Sequence, residues 1–292
     1  SIGGYLPILI LPNGTAWMGS DHDAGDHWKL PAGSMTYQEV IASYDTFWQI
    51  PGITNAVASA SDLYSHVSAL LLSTGKIMTW GQEIDGNGTL GHGIQYANGT
   101  GTTVPTEVVG ITTAVYVHIQ NYNWGRHTGY AILSDGKVMV WGKGINEGVS
   151  GQHGVPIELP ELDWPTEKAK QVRHGTGTFI LLEDGRIRVI GGSANDSYGA
   201  NPYIPDGSGG ILSNVIQITS GGYYMFALLS DGSVWSWGYY YTYLGRPELS
   251  SNGYHAPSSV ISSGATKIVA YTDGGCLVLM TDGTVQAWGM SQ

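Results

Sequence analysis

Two groups of residues in this 292-residue sequence could do chemistry: an acidic segment with histidines, and a set of aromatic residues between apolar runs. Residues 20–28 read SDHDAGDHW, and the closely spaced carboxylates of Asp21, Asp23 and Asp26 could converge on a divalent cation such as calcium. The loop glycine and closing glutamate of an EF-hand are missing, which favours a solvated loop. A structural calcium ion is the weaker alternative, and no other cofactor is expected.

The aromatic residues give the stronger binding signal. Tyr, Trp, Ser, Gly and Asn are typical of binding loops, because they combine rigid aromatic area with adaptable hydrogen bonding. About half of these aromatics are expected to pack inside the fold instead. Neighbouring residues of an extended run point in opposite directions, so residues 239–243 cannot all be buried. The predicted ligand-binding aromatics are Tyr122, Trp124, Tyr239, Tyr240, Tyr241, Tyr243, Trp48 and Trp164, and Tyr254 is a further loop tyrosine.

The sequence contains no pattern typical of an enzyme. It has no Gly-x-Ser-x-Gly nucleophile motif, no His-Glu-x-x-His zinc motif and no pair of cysteines. The single cysteine, Cys276, begins an apolar strand and is expected to be a small buried side chain. A non-enzymatic protein is therefore favoured, and a carboxylate pair for glycoside hydrolysis stays open as an alternative.

Charge and hydropathy exclude two classes of partner. The formal net charge is −11, with 12 Lys and Arg against 23 Asp and Glu. Binding to nucleic acid or to an anionic membrane surface requires a basic surface, and none is visible. No apolar run approaches the ~20 residues of a membrane span. We therefore expect no nucleic acid partner and no membrane insertion.

The elements that must position the aromatic residues are repeated hairpins. Six times, an apolar run leads into Asn-Gly, Asp-Gly or Thr-Gly and is followed by an alternating strand, as in ALLSDGSVWSWG at 227–238. An Asx-Gly pair between apolar runs predicts a tight hairpin of type I′, in which both central residues have positive φ. The hairpins are centred on Gly14, Gly75, Gly136, Gly185, Gly232 and Gly283.

Four outgoing strands end in Trp-Gly. A tryptophan at one repeated position is expected to fill the wedge between neighbouring sheets, with its N–H on a loop carbonyl. A further strand precedes five hairpins, at residues 53–60, 113–119, 169–175, 214–220 and 266–272. Each repeat thus supplies at least three strands and buries its faces only by stacking on its neighbours. The four tryptophans are Trp80, Trp141, Trp237 and Trp288.

The order of apolar strand, Asp-Gly, second strand, Trp-Gly and glycine-rich loop ending near Leu-Gly resembles the RCC1 (regulator of chromosome condensation) repeat. Residues 70–93 and 227–245 carry this pattern. The resemblance implies an all-β, RCC1-like β-propeller in which residues 1–292 form a single domain. Six hairpins indicate six blades, whereas the family usually has seven. The repeats at the two ends favour a ring closed by strands from both termini.

A rigid all-β scaffold with uncharged loops rich in Tyr, Gly and Ser favours a protein that binds a partner. The first hypothesis is a receptor-binding or adhesion protein at a virion surface or outside the cell, such as a phage tail-fibre tip. It would recognise a host-surface glycan or protein, as a homo-oligomer or together with other virion proteins. The alternatives are a secreted inhibitor or protein-interaction module, a guanine-nucleotide exchange factor and a polysaccharide-degrading enzyme.

Overall fold

The computed structural model describes residues 8–19, 47–61, 67–83, 88–97, 99–121, 127–144, 151–159, 162–163, 166–175, 177–191, 202–271 and 274–289. In these residues the chain forms 21 β-strands and a short 3-10 helix at Tyr241–Tyr243. The strands pair into six antiparallel sheets. No helix of the described part is long and apolar enough to cross a membrane.

The chain divides into two compact units, and each unit contains three of the six sheets. The first unit comprises Ser1–Ile145 and Val149–Pro160, and the second comprises Asn146–Gly148 and Glu161–Gln292. Within every described sheet the strands are consecutive in the chain. The single domain over residues 1–292, and a ring closed by strands from both termini, therefore stay predictions.

The first unit contains one three-stranded and two four-stranded sheets, and each sheet keeps its strands in chain order. The three-stranded sheet consists of β1 (Ile8–Ile10), β2 (Ala16–Gly19) and β3 (Phe47–Gln49). The next consists of β4 (Ala56–Ser61), β5 (Val67–Leu72), β6 (Ile77–Gln82) and β7 (Gly101–Glu107). The last consists of β8 (Ala114–Asn121), β9 (His127–Leu133), β10 (Val138–Gly144) and β11 (Gly151–Glu158).

The second unit follows the same plan with one four-stranded sheet between two three-stranded ones. Its first sheet consists of β12 (Ala169–His174), β13 (Thr178–Leu182) and β14 (Ile187–Ile190). The middle sheet consists of β15 (Val215–Ser220), β16 (Tyr224–Leu229), β17 (Val234–Gly238) and β18 (His255–Ile261). The last sheet consists of β19 (Ala265–Tyr271), β20 (Gly275–Met280) and β21 (Val285–Gly289).

All six predicted hairpins form, but their turns differ from the predicted type I′. The amide of the turn glycine bonds back three residues, as from Gly14 N to Leu11 O at 2.9 Å, and Leu11 N bonds to Thr15 O. The six glycines have φ between +80° and +90°, and among the described residues Asn214 is the only non-glycine residue with positive φ. Each turn therefore has a three-residue loop in which only the glycine is left-handed, and the type I′ prediction was wrong.

The Asn or Asp before the turn glycine has a separate role. The Asp231 carboxylate accepts a hydrogen bond from Ser233 N at 2.8 Å, and Asp282 accepts one from Thr284 N at 2.9 Å. Hydrogen bonds from the residue two positions on, Ser233 for Asp231 and Thr284 for Asp282, lower the pKa of both carboxyls. A short acceptor side chain that bonds the backbone two residues on thus explains Asx at this position.

The outer strands β7, β11 and β18 were not predicted from the sequence. Each contains a proline, at Pro105, Pro156 and Pro257. Proline has no N–H to donate, so it is tolerated in a sheet mainly on an edge strand. Among the described strands, each of these pairs with one neighbour, the outgoing strand of its hairpin. The Val-Pro or Ala-Pro pair within an otherwise mainly polar run was the signal for this fourth strand.

The sheets within each unit are joined by apolar packing and by side-chain hydrogen bonds. In the second unit, Phe226, Leu228 and Val234 pack with Ile268, Cys276 and Val278 of the next sheet. The Gln217 amide on β15 donates to Ile268 O at 2.7 Å and accepts from Ile268 N at 3.1 Å. Side-chain hydrogen bonds thus hold neighbouring sheets in register, in addition to the burial of apolar side chains between them.

Candidate functional site

The repeated tryptophans are structural. Trp80, Trp141 and Trp237 are at most 1% exposed, and Trp288 is half-buried. The indole N–H of Trp141 donates to Thr89 O at 2.8 Å, and that of Trp288 donates to Tyr243 O at 3.1 Å. In both cases the acceptor lies in the loop after the preceding hairpin. The tryptophan therefore fixes the loop of one repeat against the next repeat.

One such loop carries the dense tyrosine run. Strand β17 ends at Gly238, whose φ is +132° and where a Cβ would come 2.4 Å from Tyr223 O. Only glycine fits this close approach. Beyond it, Tyr239 N donates to Tyr223 O at 2.9 Å and Gly253 N donates to Tyr239 O at 3.0 Å. The start of the loop is therefore held by backbone bonds on two sides.

The pairing of three strands brings three tyrosines to one edge of the middle sheet. Gly238 pairs with Tyr224 on β16 and with His255 on β18. Tyr223, Tyr239 and Tyr254 each stand next to one of these three paired residues in the chain. Their side chains are 42%, 36% and 42% exposed. Residues far apart in sequence thus form one exposed surface.

These side chains form a continuous row, which we call the tyrosine patch: Tyr223, Tyr240, Tyr239 and Tyr254. Successive ring centroids are 5.3, 5.1 and 5.5 Å apart, and each pair meets edge to face. This arrangement is favourable because the positive edge of one ring faces the negative face of its neighbour. The patch is a preformed aromatic surface with four phenol groups.

Tyr243 anchors the patch rather than extending it. Its ring lies 5.6 Å from Tyr240 and 5.1 Å from the buried Tyr224. A Cβ on Gly274 would come 2.2 Å from the Tyr243 ring, so the two are in tight contact. The backbone carbonyl of Tyr243 also accepts the hydrogen bond from the Trp288 indole N–H. Tyr243 therefore connects the exposed rings to the packed interior of the unit.

The other predicted ligand-binding aromatics are not part of this surface. Trp48 lies in strand β3, not in a loop, where it pairs with Met18 and packs against the apolar cluster of Ile8 and Trp80. That placement favours packing. Tyr241 is half-buried in the 3-10 helix. Tyr122, Trp124 and Trp164 lie outside the described residues, so their roles stay predictions.

Tyr223 was missed by sequence reasoning, and Tyr254 was noted only as a loop tyrosine. Tyr223 precedes a hairpin in the segment GGYY, where it looks like the start of a buried strand. Its neighbour Tyr224 is indeed 1% exposed, whereas Tyr223 points outward. The alternation of strand faces was the available signal.

A buried polar cluster in the first unit stabilises the loop after β6. The Glu83 carboxylate is 1% exposed and accepts bonds from Gly88 N at 2.6 Å and Leu90 N at 2.9 Å. Burial raises the pKa of Glu83, and the two backbone bonds oppose that rise. His92 lies between the Thr79 hydroxyl at 2.9 Å and the Tyr96 hydroxyl at 3.0 Å. These groups bond the loop to itself, which indicates a structural role.

Two further reactive side chains of the described residues are buried. Cys276 is fully buried, and burial raises the pKa of its thiol to about 12. His174 is 4% exposed, and burial lowers its pKa to about 4. In the part of the chain that the structure describes, no group of three or more His, Cys, Asp or Glu could hold a metal ion. Asp21, Asp23 and Asp26 lie outside that part, so the calcium alternative stays a prediction.

The repeated sheets and the Trp-Gly loops define the class: an RCC1-like, all-β repeat protein. The family model described as "Regulator of chromosome condensation (RCC1) repeat" matches residues 215–239, which span β15, β16 and β17. The chain therefore carries repeats of the RCC1 type, as the resemblance in the sequence implies.

Curated relatives extend this likeness along the chain. Protein pim1 of Schizosaccharomyces pombe is 28% identical over 204 residues, which are 59% of this chain and 35% of pim1. The E3 ubiquitin-protein ligase HERC2 of Mus musculus is 26% identical over 263 residues, 80% of this chain and 5% of HERC2. RCC1 domain-containing protein RUG3 of Arabidopsis thaliana is 29% identical, over 54% of this chain and 39% of RUG3. This chain thus spans well under half the length of each.

Solved structures show the fold. Yeast RCC1 (Prp20), solved with Kap60 bound to it, matches with a TM-score of 0.72 and 16% identity, over 99% of this chain and 69% of that chain. Human WBSCR16 matches with a TM-score of 0.68 and 19% identity, over 95% and 70%. At this level of identity the likeness concerns the fold alone. The fold class is an RCC1-like β-propeller, as predicted.

Proposed function

We propose that this chain is a non-enzymatic binding protein and that the tyrosine patch is its recognition surface. The observation that carries the proposal is the row of four tyrosine rings in mutual contact at one sheet edge, three of them well exposed. Tyrosine offers large rigid contact area at low entropic cost and a hydroxyl for hydrogen bonding, so it is enriched in binding surfaces. Relatives and structural neighbours with this repeat include proteins that bind other proteins, such as Prp20 with Kap60.

The finer form of the proposal is a receptor-binding or adhesion protein, at a virion surface or outside the cell, that recognises a glycan or protein of a host surface. It is supported by the uncharged character of the patch and by the strongly acidic balance of the chain. The same balance opposes direct contact with DNA, because the phosphates of DNA attract basic surfaces. In this role the protein would work as a homo-oligomer or with other virion proteins.

A cell-binding assay tests the proposal. The fluorescently labelled chain is titrated onto a panel of intact bacterial cells and cultured human cells, and binding is compared with that of Tyr239→Ala and Tyr240→Ala. We expect saturable binding to at least one cell type and a loss of about tenfold in affinity for each variant, since truncated aromatic contacts at binding surfaces commonly cost more than 1 kcal/mol.

Phe47→Ala is the matched control. Phe47 is an exposed aromatic residue on β3, 44% exposed against 36% for Tyr239, and it lies outside the patch. This variant should bind like the parent chain. Absence of binding to every cell type, or equal losses in the Phe47 and tyrosine variants, would overturn the proposal. Near-ultraviolet circular dichroism of each variant establishes that it is folded.

A further inference from the structure

The tyrosine patch is a row of aromatic rings held in mutual contact, and aromatic rings can stack on sugar rings. Its four ring centroids follow one another at 5.1 to 5.5 Å, which is within the ordinary range for aromatic rings that meet edge to face. Tyr240 stands nearly perpendicular to both neighbours, at 85° to Tyr223 and 88° to Tyr239. The row therefore alternates ring faces with ring edges. Ring faces attract the weakly positive C–H surface of a sugar, and the hydroxyls can bond its oxygens.

The segment that carries most of the patch is almost uncharged. Residues 239–255 contain one arginine, one glutamate and one histidine, which are Arg246, Glu248 and His255. Arg246 is 8% exposed, so its charge lies away from the surface. An anionic glycan would find no exposed arginine or lysine in this segment and would be repelled by the net charge of −11. The charge of the segment therefore fits a neutral ligand.

Small polar residues border the aromatic row. Ser250, Ser251 and Asn252 are exposed. Gly253 separates them from Tyr254, and its N–H donates to Tyr239 O at 3.0 Å. The hydroxyl and amide groups of the two serines and the asparagine can donate and accept hydrogen bonds. Sugar hydroxyls need such two-way partners, whereas an apolar peptide anchor would be better served by an apolar border. The border thus favours a carbohydrate over a peptide.

From these three features we propose that the tyrosine patch binds a neutral oligosaccharide of several sugar units. The inference rests on the proposed binding function and narrows its ligand to one chemical class. Because the backbone at Gly238, Tyr239 and Gly253 is already fixed, the rings need little reorganisation when the glycan binds. The phenol hydroxyls and the Ser250–Asn252 border would share the hydrogen bonds to the sugar.

The experiment uses the cell type that the chain binds and removes one class of surface molecule at a time. One sample is oxidised with mild periodate, which cleaves vicinal diols of sugars, and then reduced and washed. A parallel sample is treated with proteinase K. We expect periodate to weaken binding at least about tenfold and proteinase K to change it by less than about twofold. If proteinase K removes binding and periodate leaves it intact, the partner is a protein; the neutral-glycan inference then fails while the binding function stands.

A second measurement uses defined probes. Migration of the chain is followed in native gels that contain dextran, mannan, a β-glucan or, as the anionic comparison, hyaluronan. We expect retardation by at least one neutral polysaccharide, abolished in Tyr240→Ala and retained in Phe47→Ala, and none by hyaluronan. Retardation by hyaluronan alone, or by no polysaccharide, would overturn the inference. Cell binding by the same preparation then shows whether the broader binding function survives.

Discussion

At the scale of single residues, the same side-chain type serves different ends according to what surrounds it. Tyr223 and Tyr224 are adjacent in the chain. Tyr224 is 1% exposed and packs in the core, whereas Tyr223 is 42% exposed in the patch. The Tyr224 hydroxyl also accepts a bond from Gly275 N at 3.0 Å, which explains why a buried tyrosine is tolerated. Residue type alone therefore does not assign function in this chain.

The buried His174 gives a prediction about acid stability. Its pKa is about 4 in the folded chain and near the ordinary 6.5 after unfolding, because burial disfavours the charged ring. The unfolded chain therefore takes up a proton that the folded chain refuses, and stability present above pH 6.5 is lost as the pH falls toward 4. The loss should reach about 3 kcal/mol.

Urea unfolding at pH 7, 5.5 and 4 checks this effect when the parent chain is compared with His174→Gln. The variant removes the titrating ring. The free energy of unfolding of the parent chain should therefore fall relative to that of the variant as the pH falls from 7 to 4. Other groups titrate equally in both chains and cancel in the difference. A difference that is constant over this pH range would contradict the assignment.

Two tryptophans form a matched pair for the indole hydrogen bond. Trp141 donates to Thr89 O, whereas the Trp237 N–H is buried without an acceptor among the described residues. Trp141→Phe leaves a buried carbonyl unpaired and should cost about 1–3 kcal/mol beyond the packing loss. Trp237→Phe should cost about the packing loss alone. Thermal unfolding of both variants measures the difference, and equal destabilisation would show that the bond does not hold the loop.

At the scale of elements, local signals made the hairpins predictable. Asx-Gly flanked by apolar runs located five of the six turns, and Thr74-Gly75 located the sixth. Trp-Gly located the ends of four outgoing strands, because both signals depend on backbone geometry within a few residues. The turn type was harder, since Asp-Gly also suits the three-residue loop that the structure contains. The outer strands were missed because their prolines and polar residues lack an apolar alternation.

The turn glycines allow a test of how much each hairpin depends on close packing. Gly75 and Gly283 have φ of +82° and +84°, so alanine at either position should cost about 1–2 kcal/mol for the left-handed backbone. A Cβ at Gly75 would also come 2.6 Å from Thr112 O, whereas nothing lies within 4 Å at Gly283. Gly75→Ala should therefore be clearly more destabilising than Gly283→Ala in urea unfolding. Similar losses would mean that the backbone near Thr112 moves aside without cost.

At the scale of the whole molecule, the fold class followed from the repeat, but the site did not. The sequence identified the 239–243 run, since five residues with four tyrosines could not all be buried. It could not show that Tyr223 and Tyr254 join that run, because their meeting depends on the pairing of Gly238 with Tyr224 and His255. Strand register across two neighbours is not visible in one sequence. Trp48 illustrates the opposite case, an aromatic residue expected in a loop and found in a strand.

The central claim is that the tyrosine patch contacts the partner. Hydroxyl-radical footprinting of the chain, free and bound to its target cells, measures this contact directly by mass spectrometry of the oxidised peptides. We predict that oxidation of Tyr239 and Tyr254, both exposed in the free chain, falls several-fold on binding, while oxidation of the equally exposed Phe47 is unchanged. Unchanged oxidation of both tyrosines in the bound chain, or protection centred on Phe47, would contradict the account.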